Sequence, residues 1–223
     1  MIELHDASYG YPGRTLLAGV SLTLSRASFH FLTGPSGAGK TTFLKLCYGE
    51  LRPNAGRLSA FGADLAQLSR DDLAGMRRRI GVVHQDCEFL DHLTLAENVA
   101  LPLIVAGRPI VESDLADLLA WVGLRGREGA LPSELSGGER QRGALARAII
   151  GAPDVILADE PTGNLDWEMS MRLLSLLVEL NRMGKTVLIA THDLNLIRTA
   201  KTQVAARVLR IKDGQVQTAG ADL

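Results

Sequence analysis

Eight consecutive residues, Gly34-Pro35-Ser36-Gly37-Ala38-Gly39-Lys40-Thr41, place three glycines ahead of a lysine and a hydroxyl. Phosphate oxygens need several donors at close range. Glycines let the backbone approach and turn its N–H groups inward, and a helix that follows adds its positive end. In such a loop Lys40 reaches the β- and γ-phosphates of a nucleoside triphosphate, Thr41 offers a hydroxyl to Mg²⁺, and Thr42 continues the cradle. A chance glycine turn is the bland alternative. The apolar segment Phe29-His30-Phe31-Leu32-Thr33 before the loop and the helical pattern after it supply the strand–loop–helix context that chance would not.

Two further stretches carry chemistry. Val155-Ile156-Leu157-Ala158 runs into Asp159-Glu160-Pro161, so an apolar strand delivers two carboxylates to its C-terminal end, where α/β sheets bind ligands. Asp159 there suits the outer shell of Mg²⁺ and Glu160 suits polarisation of an attacking water. Alone, such a pair is more often a solvated turn; the glycine loop in the same chain favours the chemical reading. Leu135-Ser136-Gly137-Gly138-Glu139-Arg140-Gln141 opens a helix through Ala144, Leu145, Ala148 and Ile149. Ser136 and Glu139 fit a capping box, which would be reason enough for them. A cap does not need Gly137-Gly138, and bare N–H groups at a helix start form a second anion site. One nucleotide needs one cradle, so the spare cradle points to a nucleotide held elsewhere.

The elements that must position these residues follow from hydrophobic patterning. The 223-residue chain is 46% hydrophobic with a net charge of −1, enough for a sizeable core and too balanced for a nucleic-acid partner held mainly by charge. Cys47 and Cys87 lack zinc-site spacing and read as ordinary thiols of a reducing compartment. The first residues, with Glu3 and Asp6, do not read as a signal peptide, and the longest apolar runs are too short to cross a bilayer, so a membrane link would come through a partner. Residues 1–32 read as short strands broken by the Tyr11-Pro12-Gly13 turn, Thr42 to Tyr48 as a helix, and about 90–150 as helical, with Leu115, Leu118, Leu119 and Val122 at helix spacing. Strand signals return at 155–158 and 186–190, apolar throughout as strands covered on both faces should be.

This order of motifs resembles the ATP-binding cassette (ABC) ATPases. Gly34–Thr41 looks like Walker A, Leu135–Gln141 like the signature motif, Val155–Glu160 like Walker B, Asn164-Leu165-Asp166 like the D-loop, Gln85 like the Q-loop glutamine and His192 like the switch histidine. The resemblance implies an α/β P-loop NTPase domain with a RecA-like core, an N-terminal antiparallel β subdomain and an inserted helical lobe, the core drawn at 1–87 and 151–223 and the lobe at 88–150. It implies ATP and Mg²⁺, with Thr41, Gln85 and Asp159 toward the metal, Glu160, His192 and Gln85 toward hydrolysis, and Tyr11 stacked on adenine. It further implies a head-to-tail homodimer formed on ATP, in which Ser136, Gly137 and Gly138 touch the γ-phosphate bound by the other copy and Asp166 crosses the interface. Within the family the stretches at 31–40, 157–166 and 191–197 look most like the cell-division branch. That branch implies an integral, FtsX-like membrane partner, a place on the cytoplasmic face of the bacterial inner membrane, and no nucleic-acid partner; ATPases of lipoprotein release and macrolide export are the near alternative. Phe89, Leu90, Leu93 and Leu95 read either as lobe core or as partner contact. Two positions depart from the family pattern: His84 stands before Gln85 where an aromatic is usual, and Arg26-Ala27-Ser28 replaces a Pro-Gly-Glu turn.

Overall fold

The computed structural model describes residues 1–218. The N-terminal segment forms two long strands, β1 (Ile2–Tyr11) and β2 (Arg14–Leu24), rather than several short ones. The reason lies in register shifts after Leu4, Ala7 and Tyr9, which let one antiparallel pair run on through residues whose alternation is broken. β4 (Ala55–Ala60) and β5 (Ala63–Asp64) complete an antiparallel sheet in the order β2-β1-β4-β5.

The second sheet has six strands in the order β10-β9-β3-β8-β7-β6: β3 (Phe29–Thr33), β6 (Ile80–Val83), β7 (Val155–Asp159), β8 (Thr186–Ala190), β9 (Ala206–Lys212) and β10 (Gln215–Thr218). All neighbours are parallel except the β9–β10 hairpin. Side-chain alternation divides the core into two layers. Val155, Leu157, Leu188 and Ala190 face a cluster shared with the antiparallel sheet and α1 (Lys40–Cys47). Ile156, Ala158, Val187 and Ile189 face α6 (Trp167–Arg182) and α7 (Leu194–Lys201). The uniformly apolar strands are therefore covered on both faces.

Four helices remain. α2 (Arg70–Arg77) precedes β6, and α3 (Leu95–Val105), α4 (Glu112–Trp121) and α5 (Gly137–Ile149) lie between β6 and β7. α3 and α4 meet in a separate cluster of Leu95, Val99, Leu119, Val122, Leu124 and Leu135, with Leu115 and Leu118 packed against it. α5 serves both sides: Ala144 and Leu145 join the sheet layer, while Ala146 joins the helical cluster. The four apolar residues read as core or contact split between those fates. Leu95 is fully buried and Phe89 packs against both clusters, whereas Leu90 is 44% exposed. Leu93 is half-buried. No helix among the described residues is long and apolar enough to cross a membrane.

The Arg26-Ala27-Ser28 turn has a physical cost. Ala27 takes φ 56, the left-handed region where glycine is at ease, and is held there by its N–H bond to Thr186 Oγ1 at 3.0 Å and by Asn181 Nδ2 donating to its carbonyl at 3.1 Å.

His30 sits in the middle of β3, and by strand alternation shares the face of Leu32 in the apolar layer beside the antiparallel sheet. It is 1% exposed, and its Nδ1 has no hydrogen-bond partner among the described residues. Burial first, and the charge of Arg207 second, push its pKa down from 6.5 to about 4. Below pH 6.5 the unfolded chain takes up a proton that the folded chain refuses until about pH 4, so stability is whole above that window and falls as pH drops through it. Between pH 6.5 and 5 the loss from this group should be about 2 kcal/mol. Urea midpoints of parent and His30→Leu at pH 7 and pH 5 test this: the variant should lose less, and equal losses would assign the acid sensitivity elsewhere.

Candidate functional site

Three neighbouring parallel strands end together at one edge of the six-stranded sheet. β3, β8 and β7 place Leu32 opposite Ala190, and Ala190 opposite Asp159, so the residues that follow each strand converge. The glycine loop follows β3, Thr191-His192 follows β8, and Asp159-Glu160 closes β7. The loop apart from Ala38, together with His192, Asp159, Glu160, Tyr11 and Gln85, lines one cavity of about 620 Å³.

The loop is shaped by backbone conformations that few residues but glycine adopt. Gly34, Gly37 and Gly39 have φ of 155°, 74° and 102°. A Cβ on Gly34 would come within 2.9 Å of the Ile211 carbonyl, so the loop cannot hold its course with a side chain there. Gly39 caps α1 without a side-chain acceptor for the first-turn N–H groups. By contrast, Ser69, Thr94, Ser136, Asp166 and Asp193 each cap their own helices by a side-chain bond. The start of α1 therefore keeps its donors open toward the cavity, which suits an anion.

Lys40 Nζ donates to the Gly34 carbonyl at 3.0 Å and lies 3.4 Å from Glu160 Oε1. Both of these side chains are nearly enclosed, so their attraction is weakly screened. Glu160 itself takes φ 43, turning the chain off the strand so that its carboxylate faces back over the loop. Its N–H donates to the Ala190 carbonyl at 2.8 Å, anchoring that turn to β8. His192 Nδ1 lies 3.0 Å from both Glu160 carboxylate oxygens. Asp159, 7% exposed, accepts from the Thr41 hydroxyl; burial raises its pKa, and the hydroxyl, Lys40 and His84 oppose that rise.

This donor set fits a magnesium nucleotide. No cluster of three or more His, Cys, Asp or Glu side chains suited to a metal occurs among the described residues. A cation at Thr41, Asp159 and Gln85 would then depend on oxygens of the bound phosphates for the rest of its shell, as Mg²⁺ at phosphates does.

Not every candidate residue reaches the cavity. Ala38 packs against the core behind the loop, and its N–H donates to the Pro35 carbonyl at 3.1 Å. Ser136, Gly137 and Gly138 lie outside it. Ser136 and Glu139 form the expected capping box at the head of α5, with bonds of 3.2 and 2.8 Å. Asp166 caps α6, accepting from the Met169 N–H at 2.8 Å. Tyr11 stands 53% exposed at the cavity mouth, its ring edge-on to Tyr9 at 5.5 Å. Sequence reasoning missed Arg14, which lines the cavity and donates to the Gly37 carbonyl at 3.3 Å. Its only signal was its place directly after the Tyr11–Gly13 turn.

The arrangement can hold a triphosphate on N–H groups and Lys40, and can place a carboxylate beside its end. Comparison with known proteins agrees. The ABC transporter family profile matches residues 17–163. The cell division ATP-binding protein FtsE of Haemophilus influenzae is 47% identical over 202 residues, covering 89% of this chain and 93% of the relative. FtsE of Escherichia coli K12 is 43% identical, covering 97% of each. Among solved structures, a dimeric post-hydrolysis state of the ATP-binding cassette MJ0796 bound to ADP and Pi matches with TM-score 0.87 and 33% identity, covering 98% of both chains.

Proposed function

Because the chain belongs to the ABC transporter family, we propose that it is the ATPase subunit of a cell-division complex, closing as a homodimer on ATP beneath an FtsX-like integral membrane partner. The chain is an ATPase of that family. The FtsE proteins of Haemophilus influenzae and Escherichia coli are cell-division ATP-binding proteins, which supports the division role over lipoprotein release or macrolide export. The partner would hold it at the cytoplasmic face of the bacterial inner membrane. The core at 1–87 and 151–223 would carry the nucleotide, and the lobe at 88–150 would carry the second cradle.

One observation supports the dimer above others. The cavity that gathers Tyr11, Gly34–Gly37, Gly39–Thr42, Gln85, Asp159, Glu160 and His192 lacks Ser136, Gly137 and Gly138. A cradle that lies outside its own chain's nucleotide cavity is available to another copy's nucleotide, and the MJ0796 cassette is described as dimeric.

In this reading Lys40 moves from Gly34 and Glu160 onto the β- and γ-phosphates. Glu160 takes a proton from the attacking water, and His192 holds the Glu160 carboxylate in line while facing the terminal phosphate. Thr41, Gln85 and Asp159 would hold Mg²⁺, which supplies charge neutralisation at the phosphates. Tyr11 would stack on adenine, and Asp166 would cross to the other copy.

Ser136→Arg should leave nucleotide affinity of the isolated chain unchanged within about two-fold and abolish the ATP-dependent dimer, because a long side chain would fill the second cradle. Losing the cap costs about 1 kcal/mol, which Ser136→Ala measures separately. Titration calorimetry and sedimentation read the two effects, and loss of monomer affinity in Ser136→Arg would refute the two-copy site. Recovery of the tagged chain from membranes with a lipoprotein- or macrolide-export permease, rather than a division protein, would refute the division role.

A further inference from the structure

The second cradle carries a charge that works against it. Glu139 stands in the first turn of α5, directly after Gly137 and Gly138. Its N–H is spent on Ser136 Oγ at 3.2 Å, which leaves Gly137 and Gly138 as the donors of the cradle. Bonds from the Ser136 N–H and hydroxyl first, and the charge of Arg127 after them, hold the Glu139 carboxyl below the usual carboxylate range, so it is ionised at neutral pH. A carboxylate in the first turn takes up the positive end of the helix that an anion would use, and it repels a phosphate brought to the same turn.

Arg127 answers that charge. Its Nε lies 2.9 Å from Glu139 Oε1, and its Nη2 donates to the Glu134 carbonyl at 2.7 Å. The guanidinium thus joins the short 3-10 turn at Pro132–Glu134 to the head of α5. The loop that carries it is held as firmly. The Arg127 N–H donates to the Leu124 carbonyl at 3.1 Å, and the Arg127 carbonyl accepts from Ala130 at 3.0 Å. The head of α3 grips the same loop, with the Leu95 N–H on the Ala130 carbonyl at 2.8 Å and the Ala96 N–H on the Glu128 carbonyl at 3.0 Å. Arg142, the other cation that acts on Glu139, has its guanidinium against Met169 Sδ at 3.3 Å instead. The Arg127 side chain is 39% exposed and that of Glu139 22%, so their attraction is only partly screened. Arg127 lies outside the nucleotide cavity of its own chain. We propose that Arg127 is the positioning residue of the second cradle: it neutralises Glu139 and fixes it at the cap, so that Gly137 and Gly138 can receive the terminal phosphate of a nucleotide bound by another copy. The inference rests on the two-copy reading above and adds to it the side chain that makes an acid-bearing helix start fit for an anion.

A double-mutant cycle in the Glu160→Gln background tests this role. With Mg·ATP the background chain should sediment as a dimer. Arg127→Gln should weaken that dimer by about 10- to 100-fold, the effect of an unopposed like charge at an interface, with monomer ATP affinity unaltered. Adding Glu139→Gln should bring the dimer back to within about two-fold of the background, because the amide oxygen still accepts from the Ser136 N–H but carries no charge. An Arg127 needed only to tie down the Glu134 carbonyl would not be rescued in that way. Glu139→Gln alone should also hold the dimer within about two-fold, a readout that does not depend on the Arg127 variant folding. An Arg127→Gln dimer of undiminished affinity, a loss that Glu139→Gln leaves in place, or a dimer weakened by Glu139→Gln alone would each overturn the role of Arg127 and leave the two-copy site standing. Absence of any dimer in the background chain would overturn both.

Discussion

Glu160→Gln should lower ATP turnover by about 10²- to 10⁴-fold, the range by which a positioned general base accelerates proton transfer. The substitution keeps the side chain's shape, so the turn at φ 43 and the contact with His192 can persist. What disappears is the negative charge and the basicity. The missing charge also removes a competitor for Lys40, now 3.4 Å from Glu160 Oε1, and a repulsion toward the γ-phosphate. Nucleotide affinity should therefore hold or tighten while the chemical step slows, and the ATP-bound dimer should accumulate. A single-turnover measurement separates binding from chemistry. Turnover at the parent rate would remove Glu160 from its role as base and turn attention to His192, whose Nδ1 lies 3.0 Å from the Glu160 carboxylate.

Lys40→Ala should weaken ATP binding by about 100-fold or more. A hydrogen bond to a charged group contributes about 1.5–3 kcal/mol, and Lys40 would make two to the β- and γ-phosphates. Each 1.4 kcal/mol is a factor of ten in affinity. The loss also leaves Glu160, an enclosed carboxylate, without its cation, which adds repulsion toward any incoming phosphate. ADP should suffer less than ATP, because it lacks the γ-phosphate contact. Calorimetric titration of both nucleotides reads this directly, and an unchanged ATP affinity would mean that the loop N–H groups alone hold the phosphates.

Much of the site was legible because its chemistry is local. The glycine loop needs left-handed backbone at fixed offsets before a helix, and only glycine supplies that cheaply, so Gly34, Gly37 and Gly39 declare the conformation in their identity. Ser136 and Glu139 declare a cap in the same way. The strand at 155–159 was legible from its apolar run, because a strand buried on both faces has no polar alternation to hide it. Less legible was whatever depended on register or on distant partners. The long β1–β2 pair was hidden because its shifts break the alternation that identifies a strand. Ala27 gave no warning of its left-handed conformation, since its strain is sustained by Thr186 and Asn181, far along the chain. Arg14 was hidden because an arginine after a turn is ordinary until the loop it bonds is seen beside it.

Residue order by itself determined that a triphosphate cradle, an acidic strand end and a second cradle exist, because each is specified within a few consecutive residues whose conformational preferences are intrinsic. Tertiary structure alone decided which of them share a site. Glu160 and His192 lie 32 residues apart in the chain, and the strand order β3-β8-β7 brings Glu160 onto Lys40 and His192 onto Glu160. The same topology leaves Ser136–Gly138 outside that cavity. Strand order is a property of long-range packing, which local preference cannot encode.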